Sequence, residues 1–344
     1  MTIEVLEPGL STTVQDLGRY GFQEYGVVVS GVMDEYAAKI ANALVGNNDD
    51  DPLLEITLIG PTLVFKSEAI ISICGADLSA KIDGVDITLW RPVYIKPGSV
   101  LTFGRPIEGC RCYLAVAGGY DVPIVMNSSS TYSRGAIGGY HGRPLKKDDL
   151  LKINEFSSEN NKILLRYLSE LSCSKSGFTS VSWTVSSQIK EIYRRKSVIR
   201  FMKGPQYFDF TKKSLENFET IPFQVKTNSD RMGYRLQSTK LEYNQKKDLL
   251  SEAVTKGTIQ VPHDGQPIIL MADCQTIGGY PKIGYVATVD LPILSQVIPG
   301  EKISFEEISL GDAQKLLINR EKLVKQLKIG LFLAIRRMVH GATG

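Results

Sequence analysis

The sequence predicts a mainly β protein in two lobes, with a few short helices and a basic C-terminal helix. Three observations lead there. Short runs of β-branched and aromatic residues recur between Gly, Pro and Asp turns, without the long helical stretches that βα units need. The cadence dissolves once, around residues 155–190, and then restarts. A chain of 344 residues is long enough for two cores of ordinary size.

In the first lobe, TIEVL ends at Pro8-Gly9 and LLEITLIG at Gly60-Pro61, and TLVF and AIISICG follow. KIDGVDITLW carries Asp83-Gly84, a pair suited to a two-residue hairpin turn, where both positions need positive φ. VYIKPGSVLTFG and RCYLAVAGG complete a set that fits a barrel or sandwich. One helix interrupts it. SGVMDEYAAKIANALVG offers Ser30 or Asp34 as N-cap, apolar residues at Ala37, Ile40, Ala41, Leu44 and Val45, and Gly46 as a stop.

The Ser- and Asn-rich segment that follows reads as a connection, with a short helix over residues 162–171. SVIRFMKGPQYF opens the second lobe, which continues through FQVKTNSDRMGYRLQ, GTIQVPHDGQPIILMAD with its Asp264-Gly265 turn, and GYVATVDLP. Both lobes begin with an alternating strand closed by a Gly/Pro turn, as tandem copies of one fold would. From 309 to about 338 the pattern is helical, with Leu316, Leu317, Leu323, Val324, Leu327, Leu331 and Ile335 on one side. The expected boundaries are 1–155 for the first lobe, 156–195 for the linker, 196–310 for the second lobe and 311–344 for the basic helix.

A net charge of +3 is too small to imply a nucleic-acid partner. The charge is uneven, however: seven Lys and Arg face two acidic residues between 311 and 344, so the rest of the chain is slightly acidic. Such a helix presents either a solvated face or a surface for an acidic partner or a membrane. The five cysteines (74, 110, 112, 173 and 274) are odd in number and lack framework spacing. Cys110 and Cys112 alternate on one face of a strand, and no second Cys or His pair stands at zinc-like spacing, so no metal site is expected. The N-terminal residues MTIEVLEPGL lack the features of a signal peptide, and no apolar run reaches about 18 residues. A cytoplasmic protein with free thiols is expected.

Most catalytic signatures are missing. There is no complete phosphate-binding loop, no H-E-x-x-H and no G-x-S-x-G, and RGAIGGYHGR lacks Rossmann spacing. FMKGP around Lys203 is a poor match to a biotin-carrier hairpin, so covalent biotin is not expected. His141 and His263 sit at turns, where a histidine either moves protons or is simply solvated. What stands out is polar side chains beside glycines in four places: STTVQDLGRYGFQEYGVVVSGVMD, MNSSSTYSRGAIGGYHGR, SDRMGYRL and MADCQTIGGYPKIG. Glycines let backbone N–H groups approach a carbonyl or carboxylate, arginine clamps an anion, and a lysine supplies a point charge or a proton. Taken singly, each stretch also reads as a polar turn of a β-barrel.

Together with ANALVGN, LEITLIGPTL, YLAVAGGYDVP and IQVPHDGQPIILMAD, these stretches closely resemble the allophanate hydrolase subunit 2 family, from residue 2 to about 310. That family is also called the biotin-dependent carboxyltransferase subunit family, and it contains the C subunit of 5-oxoprolinase. It includes a bacterial protein that antagonises a sporulation-kinase inhibitor. The resemblance implies two cyclophilin-like β-barrel lobes and a partnership with a subunit-1 protein (the 5-oxoprolinase B subunit). It further implies an A subunit, with which the complex cleaves 5-oxoproline to glutamate using ATP held mainly by the other chains. The alternatives are carboxyl transfer from biotin on a separate carrier to urea or a related amide, and a non-catalytic regulatory partner of the subunit-1 protein.

On that resemblance, Asp34, Asp273 and Lys282 are the expected catalytic groups. Gln15, Arg19, Ser30, His141, Arg143 and Arg231 are expected to bind substrate, as are Tyr234, Gln266, Gln275, Gly278, Gly279 and Tyr280. Two departures stand beside them. Relatives usually carry arginine where this chain has Cys274 and Ser129, and Cys274 has no His at a recognisable spacing to make it a nucleophile.

Overall fold

A computed structural model of the chain describes residues 1–156, 158–172, 177–195, 197–245 and 249–341. Cys173 and the His340 side chain lie outside them. The chain forms two compact units: Met1–Gly18, Asp34–Ile189 and Leu323–Gly344 make the first, and Arg19–Met33 with Lys190–Lys322 the second.

The first unit begins with β1 (Thr2–Glu7), β2 (Ser11–Gln15), β3 (Leu53–Thr57), β4 (Thr62–Phe65) and β5 (Ala69–Asp77). There follow β6 (Lys81–Ile82), β7 (Val85–Asp86), β8 (Val93–Ile95), β9 (Val100–Thr102), β10 (Glu108–Val116), β11 (Leu150–Lys152) and β12 (Phe178–Ser180). They make two six-stranded sheets, ordered β11-β1-β4-β9-β6-β7 and β12-β8-β5-β10-β3-β2. Strand alternation sends Ile3, Val5, Leu54, Ile56, Phe65, Ile71, Ile73, Leu114 and Val116 into one core. The Asp83-Gly84 turn between β6 and β7 takes φ of 51° and 81°, the left-handed pair the sequence calls for.

Helix α1 (Glu35–Leu44) is capped by Asp34, not Ser30: its Oδ1 accepts the Ala37 N–H at 2.9 Å. Gly46 ends it with φ 80°. Alanines at 37, 38, 41 and 43 are all buried and bring the helix close to β5 and β10, where Ser72 Oγ donates to Ala41 O at 2.6 Å.

The segment expected as a linker is largely structural. Helix α2 (Glu159–Leu171) starts three residues earlier than expected, behind a capping box of Ser158 and Asn161. Asn161 is fully buried and donates to Val45 O at the end of α1. Strand β12 then joins the sheet beside β8, Phe178 opposite Ile95. Residues 159–172 and 177–180 are therefore part of the first unit.

A short α3 (Ser187–Lys190) precedes the second unit. That unit contains β13 (Val198–Lys203), β14 (Phe223–Val225), β15 (Gly233–Gln237), β16 (Glu252–Ala253) and β17 (Thr258–Gln260). Then come β18 (Ile268–Leu270), β19 (Ile277–Gly278), β20 (Lys282–Val286) and β21 (Lys302–Glu307). Seven strands close a barrel in the order β13-β20-β17-β18-β15-β14-β21, sealed by parallel pairing of β13 with β21. Strands β16 and β19 form a separate two-stranded ribbon. The barrel interior is aromatic: Phe218 stacks on Phe305 at 4.4 Å and Phe201 meets Phe218 edge-on at 4.9 Å. Helices α4 (Lys212–Thr220) and α5 (Leu291–Ser295) complete it.

The C-terminal helix α6 runs from Leu310–Gly341, and Val324, Leu331 and Ile335 on its expected apolar side are buried. Among the described residues, no helix is long and apolar enough to cross a membrane.

Candidate functional site

In the first unit, the polar residues after β2 meet the loop 126–131. Asp16 is 7% exposed and its carboxylate is saturated. Oδ1 accepts from Gly18 N–H at 2.8 Å, Ser128 Oγ at 2.8 Å and Ser130 Oγ at 2.5 Å, and Oδ2 accepts the Ser129 N–H at 2.5 Å. Ser129 thus stands in a carboxylate-held loop in which Met126 and Asn127 take positive φ. Next to it, Gln15 is fully buried and donates to Thr13 Oγ1 at 3.0 Å and Thr131 O at 3.1 Å. Its Oε1 has no partner among the described residues.

Asp34 is fully buried, and its carboxylate is committed to the α1 N-terminus. Its N–H donates to Tyr113 Oη at 2.8 Å, and that hydroxyl donates to Glu55 Oε2 at 3.0 Å. Burial, Glu55 and Asp34 together hold the Tyr113 hydroxyl well above the usual tyrosine range. Asp34 therefore anchors a helix inside a buried network. Arg143 is also occupied, forming two 2.7 Å bonds with Asp149. Burial alone raises the Asp149 carboxyl, but the Arg143 hydrogen bonds and charge and the Lys146 N–H outweigh it, so it titrates below its usual value. His141 is exposed on the same turn, with φ 55° and its ring edge-on to Tyr140 at 4.5 Å.

The second unit brings more of the expected residues together. The Arg231 guanidinium grips Asp273 in a fork, Nε–Oδ2 at 3.0 Å and Nη2–Oδ1 at 2.9 Å, and Nη2 also donates to Gly31 O at 2.7 Å. Lys256 Nζ donates to Val32 O and Met33 O, each at 3.0 Å. Both cations thus tie down the 19–33 segment. Within it Arg19 is fully buried, its N–H donating to Val29 O at 2.7 Å. Ser30 is left-handed at φ 58°, and its buried hydroxyl has no partner among the described residues.

Cys274 follows Asp273 in a turn and packs with Val254 and Leu270. Burial pushes its thiol up to about 11, Lys256 pulling it down and Asp273 pushing it further up, so it stays protonated at neutral pH. Gln275 is partly exposed on the way to Ile277, Gly278 and Gly279, where the β16–β19 ribbon sets Gly278 opposite Glu252.

Lys282 opens β20 as one of the most buried charges of the chain, 2% exposed. Its Nζ donates to Glu252 Oε2 at 2.6 Å, and its N–H donates to Gln206 Oε1 at 3.0 Å. Gln260, also 2% exposed, is its cross-strand neighbour on β17. Tyr280 is 44% exposed and meets His263 edge-on at 6.2 Å.

Two expected residues lie elsewhere. Tyr234 is buried in the aromatic core, and Gln266 is spent on the Ser238 backbone, its Nε2 and Oε1 each at 3.0 Å. Asp16, Lys256, Glu252 and Gln260 are the polar groups of these clusters that sequence reasoning did not select. Gln260 lies within the family-like IQVPHDGQPIILMAD, yet only pairing with β19 and β20 brings Glu252 and Gln260 to Gly278 and Lys282. Among the described residues no group of three or more His, Cys, Asp or Glu could hold a metal ion.

The fold and these clusters define a class of protein: paired β units presenting buried ammonium, guanidinium, carboxylate and carboxamide groups, equipped to hold an anion or polarise a carbonyl. Residues 25–307 match the family described as "Carboxyltransferase domain, subdomain A and B", and the chain belongs to that family. It is 38% identical over 326 residues to the 5-oxoprolinase C subunit of Escherichia coli, covering 94% of this chain and 97% of that one. It is 33% identical over 335 residues to urea amidolyase of Saccharomyces cerevisiae, covering 94% of this chain and 18% of the relative. The crystal structure of the K. lactis urea amidolyase superposes with a TM-score of 0.80 at 31% identity, over 94% of this chain and 20% of that one. The chain therefore spans about a fifth of these amidolyases.

Proposed function

We infer that the chain is the C subunit of an ATP-dependent 5-oxoprolinase, which with the A and B subunits opens the lactam of 5-oxo-L-proline to L-glutamate. The observation that carries this reading is the match to the E. coli 5-oxoprolinase C subunit, which covers 94% of this chain and 97% of that one. The chemistry agrees. Water must add across a lactam C–N bond while negative charge grows on the carbonyl oxygen, so buried donors beside that oxygen are what the reaction needs. The bare backbone at Gly278 and Gly279 lies open to such a carbonyl, while the buried Lys282 ammonium holds the carboxylate of the substrate. In this reading ATP is held mainly by the other two chains and the complex works in the cytoplasm, with the free thiols of Cys74, Cys110, Cys112 and Cys274 in keeping.

The test is reconstitution with the A and B subunits. Glutamate and phosphate should form from 5-oxo-L-proline and ATP, and Lys282→Ala should lower kcat/KM by roughly 30-fold or more, the loss that follows removal of one partner of a buried hydrogen-bonded charge pair. An unchanged rate would remove Lys282 from the site, and no turnover by the wild-type complex would remove the reading. The resemblance to urea amidolyases supports a second reading, carboxyl transfer from biotin on a separate carrier to urea or a related amide. Biotin-dependent carboxylation of urea, with no glutamate released from 5-oxoproline, would decide for it.

A further inference from the structure

Lys282 and Gln260 are in register on adjacent antiparallel strands, so their side chains share one face of the β17–β20 pair. Each is 2% exposed. Among the described residues the Gln260 Nε2 has no hydrogen-bond partner, and the Lys282 ammonium, with three hydrogens, has Glu252 alone. A buried amide left unpaired beside a buried ammonium is costly unless something else pairs with it. The ribbon explains the shape of the space around them. Gly278 packs so closely on the Gln260 carboxamide that a Cβ there would lie 2.6 Å from Nε2. Opposite Gly278 on the same ribbon is Glu252, whose side chain is 58% exposed although its carboxylate meets a buried lysine.

We propose that Lys282 and Gln260 form a carboxylate-binding subsite under the β16–β19 ribbon, and that the Glu252 carboxylate occupies it until a small carboxylate ligand takes its place. Glu252 suits this role because it is held only lightly. Its backbone lies in a two-residue strand outside the barrel, and most of its side chain is in solvent, where ion pairing is weak. The subsite itself is rigid, since both donors stand on barrel strands. Glu252 is thus a selectivity element: a ligand enters only if its own carboxylate competes with one already present. The inference depends on the 5-oxoprolinase reading only in its choice of probe.

The experiment measures acetylation of Lys282 by acetic anhydride in the full-length chain, read by mass spectrometry, with 5-oxo-L-proline, succinate or acetate as protecting carboxylate. In Glu252→Gln, and likewise in Glu252→Ala, Lys282 should react faster without ligand. Half-protection should then need a roughly two- to fivefold lower carboxylate concentration, the range set by a half-exposed ion pair. Gln260→Glu, which keeps the shape and places a fixed carboxylate beside Lys282, should abolish protection. If Glu252→Gln needs the same or more carboxylate, or if no carboxylate protects Lys282, the subsite is refuted. Protection by succinate or acetate but not by 5-oxo-L-proline would keep the subsite and remove the 5-oxoprolinase reading. Turnover of 5-oxo-L-proline by the reconstituted complex without protection of Lys282 would do the reverse.

Discussion

Replacing Arg231 by methionine tests how the second unit holds its own N-terminal segment. The guanidinium makes three bonds of 2.7–3.0 Å, two to Asp273 and one to the Gly31 carbonyl. The paired side chains are only 16% and 10% exposed, so water screens them little. Methionine fills similar volume without charge and leaves the Asp273 carboxylate buried and unpaired. Breaking such a pair from one side costs about 3–5 kcal/mol, and the residual exposure argues for the lower end, about 3 kcal/mol. For a unit of this size that is a fall in Tm of roughly 6–12 °C. Calorimetry of the full chain reads it, and hydrogen exchange at the Arg19 amide reports whether the 19–33 segment loosens with it. Removing both charges in Arg231→Met/Asp273→Leu should recover most of the loss, because no unpaired charge remains. If the single variant costs under about 1 kcal/mol, or if the double variant loses the sum of both singles, the clamp is not what holds this segment.

Three further outcomes follow from the same geometry. Asp16→Ala strips the acceptor from four donors in the first unit and should cost about 3 kcal/mol in urea unfolding, since buried donors left unpaired cost about 1–3 kcal/mol each. Asp149 titrates below its usual value, so its pair with Arg143 stabilises at neutral pH, and that contribution is lost as pH falls below about 4. The stability gap between wild type and Arg143→Leu should therefore be wide at pH 7 and narrow progressively as pH falls below about 4. Cys274, raised to about 11, should resist iodoacetamide at pH 8 in the folded chain and react once urea unfolds it.

What the sequence reveals of the fold is what local chemistry determines. Asp83-Gly84 can hardly be anything but a hairpin turn, and Asp34 with Gly46 brackets a helix from both ends. The role of 159–172 and 177–180 is hidden because it rests on partners far along the chain: Asn161 reaches Val45, and Phe178 pairs with Ile95. Closure of the barrel in the second unit is hidden for the same reason, as β13 and β21 are about a hundred residues apart and pair in parallel. Site residues follow the same division. Glycine-rich stretches mark where polar groups gather, but whether a given arginine faces a ligand or a carboxylate of its own chain depends on tertiary pairing. Arg143 and Arg231 look alike in the sequence, and each proves to hold an aspartate.

That division bears on Ser129 and Cys274, where the family resemblance leads one to expect arginine. Ser129 is absorbed into the Asp16 loop through its backbone N–H, and Cys274 into a small apolar cluster with Val254 and Leu270. Neither position keeps a charge for a ligand. Of the second unit's cations near the Cys274 turn, Arg231 is committed to Asp273 and Gly31, and Lys256 to the Val32 and Met33 carbonyls. Lys282 differs from both, since its partner is an exposed carboxylate that another carboxylate could replace. On the proposed reading, anion recognition in this unit rests on one ammonium, and specificity comes from the uncharged groups around it: the Gln260 carboxamide and the bare backbone at Gly278. A single-point charge of that kind suits a small monoanion better than a phosphate, which the bidentate fork of an arginine would hold better.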